Sequence, residues 1–233
     1  MFIVTGVSKG LGKAIVHALL KQGENVIGIG RSHQFKHSKF SFIACDLSDI
    51  ESIKKIQFPV FKGQLTLINN AGIIGDIKRL SDQRSLDLLE VLSVNTIAPT
   101  ELTNIVYRSI ESKHNFRLVN ISSGAANAAI PSWGAYCSSK AALNMLTEAF
   151  FIEEKEKGNH IVAYAVSPGV IDTEMQGKIR STNPTDFSGV NKFIHLKDKA
   201  ELFSPKEAAE RLLILLKRPF NQEVKVDLRN IND

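Results

Sequence analysis

The chain has 233 residues, of which 43% are hydrophobic and 23% charged, with a formal net charge of +5. That length buries one sizeable core and fits a single α/β domain over residues 1–233. The mildly basic balance comes without a Lys/Arg cluster interleaved with aromatics, which argues against a nucleic-acid partner. The apolar runs fall short of a membrane span, and the first residues read as a strand rather than a signal peptide, so no membrane partner is expected. Cys45 and Cys137 stand apart with no CxxC or His-rich spacing, so neither a disulfide framework nor a metal site is expected, and the cytoplasm is the expected location.

Strand-like and helix-like stretches alternate along the whole chain. Met1–Thr5 is a short apolar strand, and residues 11–22 carry helical periodicity through Leu11, Ile15, Leu19 and Leu20. Strands follow at 25–30 and 40–44, joined by a polar stretch, 31–39, too short for a crossover helix and read as a loop. A short helix is predicted over 48–56, capped by Ser48 with Glu51 three residues on. Then come a strand at 65–69, a long helical region from about 86 to 111, a strand at 117–121 and a long helix from 134 to 157. A strand at 161–167, a helix opened by Pro205 and running to about 217, and a strand at 224–228 complete the order. Apolar strands alternating with helices predict a doubly wound parallel sheet of about seven strands, covered by helices on both faces, with ligands at the carboxyl ends of the strands. Residues 172–203 read as an irregular region of Gly, Pro, Asn and mixed aromatics and are the expected substrate lid.

Two local patterns carry chemistry. Where the first strand hands over to the first helix stands Thr5-Gly6-Val7-Ser8-Lys9-Gly10-Leu11-Gly12. Glycines allow a tight turn and a close approach of backbone to a pyrophosphate, which the helix N-terminus then receives. Tyr136 and Lys140 stand four residues apart in a helical stretch, on one face and within reach of each other. A cation beside a phenol favours the phenolate and brings the phenol towards a useful acid. The histidines form no ligand pair, and Ser122-Ser123-Gly124 is not a nucleophile elbow, so metal catalysis and acyl transfer find no support.

Thr5-Gly6-x-x-x-Gly10-x-Gly12, Asn69-Asn70-Ala71-Gly72, Asn95, Ser123, Tyr136-x-x-x-Lys140 and Pro168-Gly169 occur in register over nearly the whole chain. In that order they resemble the short-chain dehydrogenases/reductases. Residues 172–176, 179–181 and the closing Val226-Asp227, together with Trp133 to Cys137, look like the branch that holds the sepiapterin reductases and the bacterial benzil reductases. The resemblance implies a single-domain Rossmann fold and catalysis by Asn95, Ser123, Tyr136 and Lys140. Family register favours Ser123 over its neighbour Ser122 as the hydroxyl that holds the substrate oxygen. Lys140 would bind the nicotinamide ribose and lower the Tyr136 pKa, and Asn95 would hold a water that resupplies the proton. A dinucleotide would rest on Gly6, Ser8, Lys9, Gly10, Leu11 and Gly12, on Arg31, and on Asp46 and Leu47. It would also touch Asn69, Ala71, Gly72, Tyr136, Lys140, Pro168, Gly169, Val170 and Thr173. Family dimers imply a homodimer packed through the helices around 98–110 and 134–154.

The cofactor is expected to be NADP(H). No Asp or Glu lies between Asn25 and Cys45, while Arg31 follows the second strand and Lys9 lies in the glycine turn. Both cations suit a 2′-phosphate, and a carboxylate there would repel it. Asp46 either accepts from the adenine amino group or caps the next helix. Ser123, Trp133, Tyr136, Met175 and Asp227 are the expected substrate contacts, among apolar candidates that also include Ile130, Met145, Phe187 and Phe193. Trp133 would wall a pocket for an aromatic or bicyclic carbonyl compound. Asp227 resembles the carboxylate that anchors a pterin ring, or else is an acid that ends an edge strand. The implied reaction is hydride transfer to a carbonyl carbon of a benzil-like or sepiapterin-like ketone. The same fold without catalysis would serve as a dinucleotide-sensing regulator, a rival that needs no full proton relay.

Overall fold

The computed structural model describes residues 1–232. Seven strands, β1 (Phe2–Thr5), β2 (Val26–Gly30), β3 (Phe40–Ala44), β4 (Leu65–Asn69), β5 (Phe116–Ile121), β6 (Val162–Ser167) and β7 (Lys225–Asp227), form one sheet in the order β3-β2-β1-β4-β5-β6-β7. Every pair is parallel. Neighbouring side chains along a strand point to opposite faces, and here both faces are apolar. Val4, Ile68, Val119 and Tyr164 pack under helices α1 (Gly10–Lys21) and α8 (Pro205–Lys217). Ile3, Leu67, Leu118 and Ala163 pack on the other side with α2 (Ile50–Lys54), α4 (Ala98–Arg108) and α5 (Gly134–Glu156). This is the doubly wound sheet read from the sequence, and its strand order reverses between β1 and β4, where such sheets bind ligands.

Residues 31–39 form no helix, as their polarity predicts; Phe35 folds inward and meets Phe40 at 4.8 Å between ring centres. Three expectations are corrected. The helix predicted over 48–56 is two residues shorter at each end: Asp49, not Ser48, accepts from the backbone of Glu51 and Ser52, while Ser48 donates both N–H and hydroxyl to Asp46. The long region from 86 to 111 is two helices, α3 (Ser85–Leu92) and α4, joined through a π-helical turn, Ser93–Ile97. The stretch 172–203 is not irregular throughout, since it carries α6 (Glu174–Arg180) and α7 (Val190–Asp198).

Candidate active site

The site gathers at the carboxyl ends of β1, β4, β5 and β6. In the turn after β1, Gly6 has φ of +70°, and a Cβ on it would lie 2.9 Å from the Cα of Ala71. A Cβ on Gly12 would lie 2.3 Å from the Gly6 carbonyl oxygen. The turn is therefore closed on itself and pressed against the residues that follow β4. No side chain caps the start of α1, and its first turn holds no acid, so those N–H groups keep their capacity for an anion. Asn70 ties the two loops, donating its main-chain N–H to Thr5 Oγ1 at 2.9 Å and its side-chain amide to the Thr5 carbonyl at 2.9 Å.

On the other side of β4 the π-helical turn carries Asn95, which is fully buried. Its Nδ2 donates to the Ile73 carbonyl at 2.8 Å and to the Ser139 hydroxyl at 3.0 Å, and its Oδ1 accepts from the Ile73 N–H at 2.8 Å. Asn95 thus brackets the loop after β4 to α5. The widened turn brings it there: π-bulges add one residue to a helix and rotate the side chains that follow. A Cβ on Gly72 would lie 3.2 Å from Asn95 Oδ1 and 3.4 Å from Lys140 Nζ, so glycine leaves the ammonium uncovered on that side.

Lys140 is buried, and its Nζ donates to the Ile121 carbonyl at 2.8 Å. An ammonium has three N–H groups, so two remain for a ligand. Burial pulls its pKa down to about 8. Tyr136, one turn earlier on α5, is also buried, and Lys140 Nζ lies 5.9 Å from its ring centre. Burial pushes the Tyr136 phenol up, and a hydrogen bond with the Ser123 hydroxyl pulls the other way. The direction differs from the lowering expected from Lys140. Loss of water on burial outweighs the Ser123 bond. The Ser122 hydroxyl is committed to Asn144 Oδ1 at 2.5 Å, which leaves Ser123 as the serine beside the phenol.

Trp133 stands at right angles to Tyr136, 5.8 Å between ring centres, and packs on Phe193 at 5.2 Å and Phe187 at 5.5 Å. Ile130 and Met175 border this cluster. Met145 does not: it is 66% exposed, on the outer side of α5. The stretch 172–203 is fastened over the cleft at several points. Glu174 pairs with Lys9 of the glycine turn, and Lys178 donates to the Gly75 carbonyl at 2.8 Å. The Ser132 hydroxyl donates to the Asp186 carbonyl, and Asp172 holds Arg180 and Lys197 together. Thr173 lies over Gly10, its Cγ2 3.3 Å from where a Cβ would stand.

At the carboxyl ends of β2 and β3, Arg31 and Asp46 are both exposed. Two bonds from Ser48 hold the Asp46 carboxyl below the usual carboxylate range, with the Arg31 charge adding to them. Asp46 is not a helix cap. Leu47 is buried beside it. Lys9 points towards Glu174 rather than Arg31, but both members of that pair are largely exposed, and exposed pairs hold weakly. Pro168, Gly169 and Val170 follow β6, with Gly169 at φ of +79°. Asp227, at the end of β7, is taken up by Arg229 through Nε at 3.0 and 3.1 Å and Nη2 at 2.5 Å. Arg229, Ser132, Ser139 and Ile73 were not singled out in the sequence. Only Ser139, three residues after Tyr136, carried a spacing signal that could have marked it.

The bare helix start, the glycine packing and the two spare N–H groups on Lys140 together suit a nicotinamide dinucleotide. Among the described residues no cluster of three His, Cys, Asp or Glu stands ready for a metal ion, and no helix is long and apolar enough to cross a membrane. The profile of the family described as short chain dehydrogenase matches residues 1–184. The benzil reductase ((S)-benzoin forming) of Bacillus cereus is 34% identical, with 97% of this chain and 98% of the relative covered. The enzyme of the same name from Bacillus subtilis is 36% identical, with 94% and 93% covered. A solved short-chain dehydrogenase/reductase from Saccharomyces cerevisiae superimposes with a TM-score of 0.84 at 26% identity, over 98% of this chain and 96% of that one.

Proposed function

Since the chain belongs to the short-chain dehydrogenase/reductase family, we propose that it is an NADPH-dependent carbonyl reductase for aromatic α-dicarbonyl compounds of the benzil type. The observation that carries the substrate reading is the perpendicular contact of Trp133 with Tyr136. An aromatic wall that meets the phenol itself favours a flat aryl ketone whose oxygen reaches that phenol. The Bacillus relatives at 34% and 36% identity support the same class.

A bound nicotinamide supplies the hydride. Ser123 holds the carbonyl oxygen, and Tyr136 gives that oxygen its proton as charge develops there. Lys140 uses its two spare N–H groups on the ribose hydroxyls and keeps a positive charge near the phenolate that remains. The Asn95 amide is committed to Ile73 and Ser139, so it braces the loop and α5, and the main chain of the widened turn holds the relay water. Lys9 and Arg31 receive the 2′-phosphate, the former by leaving Glu174. The stretch 172–203 acts as the lid. The reading includes a cytoplasmic homodimer, supported by Met145 and Ile152, which lie seven residues apart on α5 with 66% and 54% exposure; a monomer in sedimentation would remove that part.

The direct test is purified protein with NADPH and benzil, followed by NADPH absorbance. Consumption of NADPH with formation of benzoin is expected. No consumption with benzil or with any smaller aryl diketone would overturn the assignment.

A further inference from the structure

We propose that Arg229 determines specificity at the outer end of the substrate cleft: its guanidinium seals the Asp227 carboxylate and turns an acceptor site into a donor edge. The inference rests on the carbonyl-reductase reading and names the remote substrate group that this site takes, a second carbonyl or carboxylate oxygen rather than an amino-heterocycle.

Placement comes first. Asp227 ends β7 in register with Ser167 of β6, and Ser167 leads directly into the Pro168–Gly169 turn. A Cβ on Gly169 would lie 3.4 Å from Arg229 Cγ, so the arginine stem runs alongside that turn at the ligand-binding end of the sheet. The 3-10 turn Leu228–Asn230 folds the arginine back towards the acid.

The carboxylate is already filled. Oδ1 accepts from the Arg229 main-chain N–H at 2.9 Å and from Nε at 3.0 Å, while Oδ2 accepts from Nε at 3.1 Å and Nη2 at 2.5 Å. Three N–H groups make these contacts, the single Nε–H being shared between the two oxygens, so both carboxylate oxygens are engaged by the arginine. An amino-pyrimidine edge brings two neutral N–H donors in the same side-by-side geometry. Charge-assisted bonds are roughly twice as strong as neutral ones, and the guanidinium is tethered two residues away, so the heterocycle loses. The arginine keeps N–H groups for the cleft: among the described residues its Nη1 has no protein acceptor, and the side chain is 64% exposed. Those donors suit the second oxygen of a diketone or of an aryl keto acid.

The experiment compares wild type with Arg229→Ala, Arg229→Lys and Arg229→Ala/Asp227→Asn, each checked for a native melting transition. Binding of unreduced pterin is read from its fluorescence, and benzil KM from NADPH consumption. Arg229→Ala should tighten pterin by about tenfold or more (a factor worth 1.4 kcal/mol). The double variant should lose that gain, and Arg229→Lys, which cannot chelate side by side, should fall between. Benzil KM should rise in Arg229→Ala. Unchanged pterin affinity in folded Arg229→Ala, or a gain that survives in the double variant, overturns the proposal. If wild type fails to reduce benzil, the carbonyl-reductase reading falls, yet the pterin comparison still scores Arg229 by itself.

Discussion

Lys140 and Ile121 are joined by a 2.8 Å hydrogen bond from a buried ammonium to a strand-end carbonyl. That one bond does not replace the water an ammonium loses, and the Lys140 pKa falls to about 8 as a result. The charge is thus a standing cost to the fold. Below pH 8 Lys140 is protonated in both the folded and unfolded chains, and the cost is present in full. Between pH 8 and the unfolded value near 10.5 the unfolded chain binds the extra proton, so stability rises with pH from this group. Lys140→Met should therefore stabilise the ligand-free protein at pH 7, by on the order of 3 kcal/mol at most, with a gap that narrows by pH 10. Urea unfolding at the two pH values measures it. A variant less stable than wild type at pH 7 would show that the ammonium does not strain the fold.

Tyr136 should behave in the opposite manner, with a large effect on turnover and little on the fold. Its phenol stands beside the Ser123 hydroxyl, and its ring packing on Trp133 survives replacement by phenylalanine. Loss of a general acid costs about 10²–10⁴ in rate. Tyr136→Phe should lower kcat with benzil by that factor and leave NADPH affinity, read by fluorescence titration, within about threefold, a small change in free energy. Equal kcat values in the two proteins would remove Tyr136 from the chemistry.

Cofactor choice should follow Arg31. It is exposed and makes no salt bridge among the described residues, although its charge reaches Asp46. Arg31→Asp places a carboxylate where a 2′-phosphate would lie, and repulsion replaces attraction. The ratio of kcat/KM for NADPH over NADH should drop by about a hundredfold, some 3 kcal/mol. Glu174→Gln, which releases Lys9 from its partner, should move the ratio the other way by a smaller amount. A ratio indifferent to Arg31 would leave the preference to other residues.

These residues also show where a linear reading holds. The helix α8 is read to its ends because Ser204 and Glu207 form a reciprocal cap and Pro205 fits the first turn; both signals are local. Strands β3 and β4 are read to the residue because apolar β-formers end at polar or charged neighbours. The π-helical turn around Asn95 leaves no such mark, since residues 86–111 keep helical composition and only tertiary bonds to Ile73 and Ser139 select the widened turn. The helices α6 and α7 hide behind Gly177, Asn183, Pro184 and Gly189, although they are held by partners far along the chain, such as Lys9 and Gly75. Asp227 was legible as a carboxylate at the right end of the sheet. Its capture by Arg229 depends on a turn that brings residues two apart face to face. Identities of site residues were thus readable from spacing, while their protonation and their partners were set by burial and by folding.

The aromatic wall offers the clearest separation of binding from chemistry. Trp133 is 5% exposed and Phe187 is fully buried, and their contact links residues 172–203 to the helix that carries Tyr136. Truncating Phe187 to alanine opens a cavity beneath residues 172–203, and such changes cost about 3–5 kcal/mol in a core, which confounds stability with function. Trp133→Phe is the better probe, since it keeps an aromatic face towards Phe193 while shortening the wall. If benzil rests on that wall in the ground state and the transition state alike, as proposed, loss of the wall should raise KM with little change in kcat. A small aliphatic diketone such as diacetyl does not reach the wall and should keep its KM. A rise of about tenfold for benzil with diacetyl unmoved, roughly the worth of lost aromatic contact, is the expected pattern. If both substrates lose equally, Trp133 supports the helix rather than the substrate. If neither changes, the aryl group binds elsewhere in the cleft.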